Sequence, residues 1–106
     1  MDQQPKILSS ARAVAGVVTP NASRYLQQLC KHFAHKLPVI FDERSGQITF
    51  SIGECRLGAD DGMLRLSLAA PDEVQMMQLQ DIVVRHLLRF AFREELDVNW
   101  RSDVQG

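Results

Sequence analysis

The sequence lacks most features that would assign a chain to a specialised class of protein. Its formal net charge is −1, so it has no basic excess of the kind that drives nucleic-acid binding. No apolar run approaches the roughly 18 residues of a membrane-spanning helix. Its two cysteines, Cys30 and Cys55, are too few for a disulfide scaffold and form no CxxC pair. We therefore expect no nucleic-acid partner and no membrane partner.

Motifs of catalysis are missing as well. The sequence contains no P-loop, no GxGxxG and no GxSxG. Cys30 would act as a nucleophile only beside a base that lowers its pKa, and its helical spacing favours a buried structural residue instead. The N-terminus has no apolar core of signal-peptide length, which predicts a cytoplasmic protein. We predict no catalytic residue, no metal and no cofactor, and we regard an enzyme as the less favoured function.

What is present is the composition of an ordinary globular domain. The chain has 106 residues, of which 45% are hydrophobic and 24% charged, close to the average for soluble proteins. A chain of this length can bury one compact core without disulfides or a structural metal. We predict a loose tail over residues 1–10, a single domain over 11–101 and a second tail over 102–106.

Two segments have the apolar periodicity of amphipathic helices. In TPNASRYLQQLCKHFAHKLP, Thr19 is the predicted N-cap, Pro20 the first helical residue and Pro38 the terminator. In PDEVQMMQLQDIVVRHLLRFAFREEL, Asp72 is the predicted N-cap, and Gln75 completes a capping box. Each helix therefore has one apolar side that must find a surface to cover it.

The apolar arc of the second helix is wide and covers about half of its circumference. One stripe contains Met76, Leu79, Val83, Leu87 and Phe90, and a neighbouring stripe contains Met77, Val84, Leu88 and Ala91. A helix that rests on one sheet needs a narrower arc. We therefore expect this helix to contact a second surface, either the first helix or a second copy of the chain.

Short alternating segments predict a sheet. ARAVAGVVT precedes the first helix, and VIF, QITFSI, ECRLGA and MLRLSLAA lie between the helices, with a hairpin signal at DDG. LDVNWRS after the second helix predicts a short edge strand. One apolar face and one polar face predict an antiparallel sheet covered on one side only. The predicted fold is an α+β two-layer sandwich of four to six strands with two helices on one face, in the order β-α-β-β-β-β-α with an optional last β.

The segments TPNASRYLQQLCKHFAHKLPVIFD, GECRLGAD and HLLRFAFREELDVNW resemble a bacterial family known as domain of unknown function 2218. The resemblance covers about residues 11–101. It implies no established activity and supplies no catalytic residue. Some members of the family are fused to, or lie beside, siderophore-interacting flavin reductases. That association implies a role in iron or haem utilisation, with such a reductase as a partner.

Basic residues cluster on both predicted helices. The first helix carries them within CKHFAHK, and the second carries arginines at i, i+4 and i+8, which predicts a ridge. The tentative ligand-binding residues are Lys31, His32, His35, Lys36, Arg85, His86, Arg89 and Arg93. If the helices lie side by side, these residues flank a groove for siderophore carboxylates or haem propionates. The alternative is a solvated surface on which Asp81, Glu94 and Glu95 pair with the arginines.

A metal site is disfavoured by the spacing of its candidate ligands. Cys30 lies about 140° from His35 and about 160° from His32 on a helical wheel, so the thiol and the imidazoles cannot share one metal. His32 and His35 are neighbours, and His86 is the third histidine, but zinc or iron needs further ligands. The adjacent lysines also repel a cation.

Phe92 falls on the far side of the second helix from Val83, and we predict that the Trp100 segment covers it. An exposed Phe92 would instead belong to a partner interface.

Three hypotheses follow for the function. The favoured one is a binding or accessory module that holds an anionic ligand or docks on a reductase. The second is a homodimeric interaction domain, and the last is a metal-dependent or redox enzyme that uses the histidines.

Overall fold

The computed structural model describes residues 11–102. The elements are β1 (Ala11–Val18), α1 (Ala22–Phe33), β2 (Val39–Phe41), β3 (Ser45–Phe50), β4 (Gly53–Asp60), β5 (Met63–Ala70), α2 (Glu73–Phe90) and β6 (Arg101–Ser102). The strands form one antiparallel sheet in the order β2-β3-β4-β5-β1-β6. The predicted α+β order, including its optional last strand, is confirmed. The tail predicted at 1–10 lies outside the described residues, as does the tail predicted at 102–106 except for Ser102, which belongs to β6.

One face of the sheet carries the core. The register aligns Ala13 with Leu68 and Leu68 with Cys55, so alternate residues of neighbouring strands share one side. The buried strand residues on this side include Val17, Ile48, Leu57, Leu64 and Leu66. Both helices bury their apolar stripes against the same face, with Leu26 and Leu29 from α1 and Leu79 and Leu87 from α2. The predicted two-layer arrangement, with both helices on one face of the sheet, is therefore confirmed.

The boundaries of α1 differ from the prediction at both ends. Asn21, not Thr19, occupies the N-cap position, and the buried Thr19 hydroxyl accepts a hydrogen bond from the Asn21 N–H at 3.1 Å. The helix ends at Phe33, where the Leu37 N–H still donates to the Phe33 carbonyl at 2.9 Å in a tight turn. Pro38 therefore follows a turn and does not itself terminate the helix.

The predicted start of α2 is confirmed, but the helix is shorter than its apolar pattern predicts. The Asp72 carboxylate accepts from the Gln75 N–H at 2.8 Å, as expected for the N-cap. The last helical residue is Phe90, and the chain then turns, with the Glu94 N–H donating to the Ala91 carbonyl at 3.0 Å. None of the helices in residues 11–102 is long and apolar enough to cross a membrane.

The segment after α2 closes the core at the β1 edge. Leu96, Val98 and Trp100 pack half-buried against the core, but strand pairing with β1 is limited to Arg101 and Ser102. The predicted edge strand is therefore reduced to its last two residues. Phe92 is 74% exposed, so the expectation that the Trp100 segment covers it is wrong. Because the helix ends two residues earlier, Phe92 turns outward before that segment reaches the sheet.

Candidate functional site

The C-terminal ends of α1 and α2 bring two histidines together. His32 lies in the last turn of α1 and His86 in the C-terminal half of α2. Their ring centroids are 4.9 Å apart, with the planes tilted by 44°. Arg89, one turn after His86, is close enough to His32 to act on its pKa. We call His32, His86 and Arg89 the imidazole cluster.

Phenylalanine rings form the inner wall of the imidazole cluster. Phe33 lies 4.8 Å from His86 and 5.0 Å from Phe50, measured between ring centroids. Phe90 lies 5.9 Å from the His32 ring in an edge-on arrangement. The rings join the imidazoles to the apolar core, and so the cluster has an aromatic inner side and a cationic outer side.

The hydrogen bond of His86 determines which of its ring nitrogens is available. Its Nδ1 lies 2.7 Å from the carbonyl oxygen of Ile82, one turn earlier on α2. A carbonyl only accepts hydrogen bonds, so Nδ1 carries a proton and donates it. The Nε2 atom of His86 is left to accept a hydrogen bond when neutral, or to donate one when protonated.

The electrostatic environment of His32 is cationic. Partial burial lowers the pKa of His32 below 6.5, and His86, Arg89 and His35 lower it further. Ion pairs among residues 11–102 join Arg56 to Glu54, Arg65 to Asp60 and Arg85 to Asp81, and none of them includes a member of the imidazole cluster. The described part of the chain therefore offers no carboxylate to neutralise the cluster.

The other predicted site residues lie around the cluster or away from it. Arg85 donates to Asp81 at 2.8 Å, as the alternative of local surface pairs predicts. Arg93 lies beyond the end of α2 with its guanidinium 5.3 Å from the Phe92 ring, so the arginine ridge ends at Arg89. Lys31 is exposed in the last turn of α1. His35 and Lys36 are exposed in the turn that follows it.

A groove begins beside the cluster. It has a volume of about 450 Å³ and is lined by Leu37, Phe50, Ser51, Ile52, Gln78, Asp81, Ile82 and Arg85. Phe50 and Ile82 belong to both places, because Phe50 packs on Phe33 and the Ile82 carbonyl accepts from His86. The groove therefore extends the aromatic wall of the imidazole cluster with an apolar floor and with the ion pair of Arg85 and Asp81.

Neither cysteine has the environment of a nucleophile. Both thiols are free and buried in the core. Burial raises the pKa of Cys30 to about 11, and it raises the pKa of Cys55 as well. Within residues 11–102, no group of three or more histidine, cysteine or acidic side chains is arranged to hold a metal ion.

A second polar cluster, at the N-terminal end of α1, was missed by the sequence reasoning. Glu94 accepts hydrogen bonds from the Thr19 hydroxyl at 2.8 Å, from the Asn21 side-chain amide at 2.7 Å and from the Tyr25 hydroxyl. We call Thr19, Asn21, Tyr25 and Glu94 the carboxylate cluster. Its anion lies by the positive end of the α1 dipole, which is a favourable position.

Hydrogen bonding and burial shift two pKa values in the carboxylate cluster in opposite directions. The hydrogen bonds from Tyr25 and Asn21 lower the pKa of Glu94 below 4.5. Burial, followed by the hydrogen bond to Glu94, raises the pKa of Tyr25 above 10.0. The sequence held one signal for this cluster: a tyrosine within an apolar stripe needs a partner for its hydroxyl. It did not indicate which residue is the partner.

Comparison with known proteins places both clusters inside one recognised family. The family model described as an uncharacterized protein conserved in bacteria, DUF2218, matches residues 14–101. The chain belongs to the DUF2218 family. The resemblance noted from the sequence is thereby confirmed, and residues Thr19 to Glu94, which span both clusters, lie within the matched region.

A solved structure shares the fold with this member of the DUF2218 family. The NMR structure of PA4090 from Pseudomonas aeruginosa is 35% identical in sequence and superposes with a TM-score of 0.73. The match covers 86% of the present chain and 95% of that chain. No curated protein matches the sequence. The comparisons therefore establish the family and the fold, and neither names a ligand or a reaction.

Proposed function

We propose that this domain is a binding module for an anionic ligand, held at the imidazole cluster. One observation carries the proposal: His32, His86 and Arg89 converge from two helices, and no carboxylate of the described chain pairs with them. Three groups that are or can become cationic, gathered without a counter-ion, have an unfavourable mutual repulsion that a bound anion would relieve.

The chemistry of the cluster favours a carboxylate on an aromatic or apolar body. The Arg89 guanidinium can bind a carboxylate through two parallel hydrogen bonds, and His86 Nε2 adds a donor when it is protonated. The rings of Phe33, Phe50 and Phe90 and the adjacent groove would cover the apolar part. The iron association that the family resemblance implied makes haem and carboxylate-bearing ferric siderophores the first ligands to test.

The direct test is a titration of the protein with haem and with a ferric carboxylate siderophore, followed by absorbance and by NMR shifts of the backbone amides. We expect saturable binding, with the largest amide shifts at the C-terminal ends of α1 and α2. Arg89→Gln and His86→Asn should each weaken binding about tenfold or more, since one charge-assisted interaction contributes roughly 1.4 kcal/mol or more. Arg12→Gln is the matched control, because Arg12 is exposed on the uncovered face of the sheet.

Two results would overturn the proposal. The first is the absence of any spectral change or amide shift at high micromolar concentrations of every ligand. The second is binding that Arg89→Gln and Arg12→Gln weaken equally, because that would show non-specific attraction to positive charge.

A dependence on pH is also expected. Binding of an anion should strengthen as pH falls through the pKa of His32, because the imidazolium form adds to the attraction.

A further inference from the structure

α2 carries a second apolar stripe that the fold leaves uncovered. Val74 is 66% exposed, Met77 69% and Leu88 43%, and Val84 between them is half-buried. We call these four residues the outer stripe. At about 100° per residue they lie on the side of α2 away from His86, which faces α1. The wide apolar arc of α2 predicts that this side of the helix meets a second surface, and no element among residues 11–102 buries it.

The spacing of the outer stripe is that of a helix–helix seam. Val74, Met77, position 81, Val84 and Leu88 are separated by steps of three, four, three and four residues. This is the repeat by which one helix packs along another. The single polar position is Asp81. Its carboxylate accepts from Arg85 at 2.8 Å, and both side chains are more than half exposed, at 64% and 58%.

We propose that the outer stripe is the contact surface of a homodimer, in which the α2 helices of two copies pack antiparallel about a two-fold axis. A two-fold axis that crosses α2 between Asp81 and Arg85 brings Met77 of one copy to Leu88 of the other, because the two residues lie six and five positions from that axis. An isologous contact joins the same surface of both copies, and in this register each of these two apolar residues meets an apolar residue.

The charges on the seam are self-complementary in the same arrangement. A two-fold axis crossing α2 between Asp81 and Arg85 places Asp81 of each copy beside Arg85 of the other. The two ion pairs within the chains would then form one network of four alternating charges, which fixes orientation and register. The net charge of −1 per chain adds little repulsion between copies. The imidazole cluster lies on the α1 side of α2, so the dimer would not need the ligand.

The first test is the mass of the purified protein by sedimentation equilibrium between about 1 and 500 µM. We expect the 12.0 kDa chain to associate reversibly into a dimer. Met77→Glu and Leu88→Glu should each weaken the association tenfold or more, whereas Thr49→Glu, on the uncovered face of β3, should leave it unchanged. Circular dichroism checks that every variant stays folded. A wild-type monomer at 500 µM, or a dimer that Met77→Glu and Leu88→Glu leave intact, would refute the proposal.

The register has its own test in a pair of charge reversals. Asp81→Lys alone places only positive charges at the axis, and Arg85→Glu alone places only negative ones, so each variant should associate less tightly than the wild type. An equimolar mixture of the two should recover dimers, because the charges at the axis are complementary again. If the mixture stays as weak as its components, the two-fold axis does not lie between Asp81 and Arg85. Ligand binding by Met77→Glu and Leu88→Glu should be retained, because neither residue belongs to the imidazole cluster or lines its groove, and this keeps the test of the dimer separate from that of the ligand.

Discussion

The two ends of α1 are bordered by polar clusters of opposite character. At the N-terminal end, the Glu94 carboxylate meets donors from Thr19, Asn21 and Tyr25. At the C-terminal end, His32 gathers with His86 and Arg89, and no anion of the described chain joins them. The carboxylate cluster satisfies the hydrogen-bonding capacity of its anion, whereas the basic groups of the imidazole cluster have no anion of the described chain as a partner.

This difference separates a structural role, at the carboxylate cluster, from the binding role that we propose for the imidazole cluster. Glu94 follows α2 in the chain, and its hydrogen bonds to α1 and to the residue after β1 hold together three segments that are far apart in sequence. A satisfied, part-buried network of this kind contributes to stability. Neighbouring basic side chains contribute nothing comparable, and the ligand that we propose would supply the missing anion.

Removing the Tyr25 hydroxyl should destabilise the fold clearly. Tyr25→Phe deletes one hydrogen bond to the Glu94 carboxylate, which should lower the free energy of unfolding by about 1–2 kcal/mol. The melting temperature should fall by roughly 4–8 °C for each kcal/mol. His32→Asn, at the other end of α1, should change stability by no more than about 0.5 kcal/mol, because His32 is an exposed residue whose ring is only slightly desolvated. Urea unfolding measures both. Equal losses in the two variants would contradict the contrast between the clusters.

Acid should weaken the carboxylate cluster selectively. The pKa of Glu94 is lower in the folded protein than its ordinary value of 4.5. The stability that Glu94 contributes is therefore complete above about pH 4.5 and is lost as pH falls through the folded pKa. The difference in unfolding free energy between the wild type and Glu94→Gln should accordingly shrink between pH 5 and pH 3. If this difference in unfolding free energy is the same at pH 5 and at pH 3, the negative charge of Glu94 does not strengthen its hydrogen bonds within the carboxylate cluster.

The ionisation of Tyr25 at alkaline pH gives a second test of the carboxylate cluster. The pKa of Tyr25 is raised above 10.0, chiefly by burial and then by its hydrogen bond to Glu94. The corresponding stability is complete below pH 10.0 and is lost as pH rises through the folded pKa. Tyr25 is the single tyrosine of the chain, so an ultraviolet titration observes its ionisation directly. Glu94→Gln should lower the midpoint, and a midpoint unaffected by this substitution would argue against the contact.

A smaller effect is expected on the titration of His32. Its pKa should lie below 6.5 in the free protein, owing first to burial and then to its cationic neighbours. Because protonation is disfavoured in the folded state, this group makes the fold less stable as pH falls below 6.5. NMR titration of the imidazole protons should show the pKa rising in Arg89→Gln and not in Arg12→Gln. A His32 pKa that Arg89→Gln leaves unchanged would place that guanidinium outside the imidazole cluster.

The smallest expected effect is the response to thiol reagents. Cys30 lies only two residues before His32, so a reactive thiol there would add nucleophilic chemistry to the imidazole cluster. Burial raises the pKa of Cys30 to about 11, and the side chain is fully buried. The folded protein should therefore react with a thiol reagent at pH 8 only at the rate of unfolding. Rapid modification of one thiol in the native protein would reopen the enzyme hypothesis.

Local pattern was sufficient for most of the fold and for little of the site. The alternation of Leu64, Leu66 and Leu68 predicted which face of β5 is buried, because side chains in a strand point alternately to opposite sides. The capping pattern of Asp72 and Gln75 predicted the start of α2 for a similarly local reason. The helix ends were predicted less well, since apolar spacing continues past Phe33 and Phe90 into the turns that follow.

The sequence by itself determined the strands, the two helices and the basic character of their C-terminal ends, because these depend on residues within a few positions of each other. Only the tertiary structure decided which charges meet. In the folded chain Glu94 accepts hydrogen bonds from Thr19 and Tyr25, about seventy residues away. From the sequence alone, Glu94 was equally a candidate to pair with the arginines of α2. The tertiary structure also brought His32, His86 and Arg89 together without a carboxylate from residues 11–102. Side-chain pairing between distant segments depends on how the helices pack across the sheet, and no local periodicity encodes that.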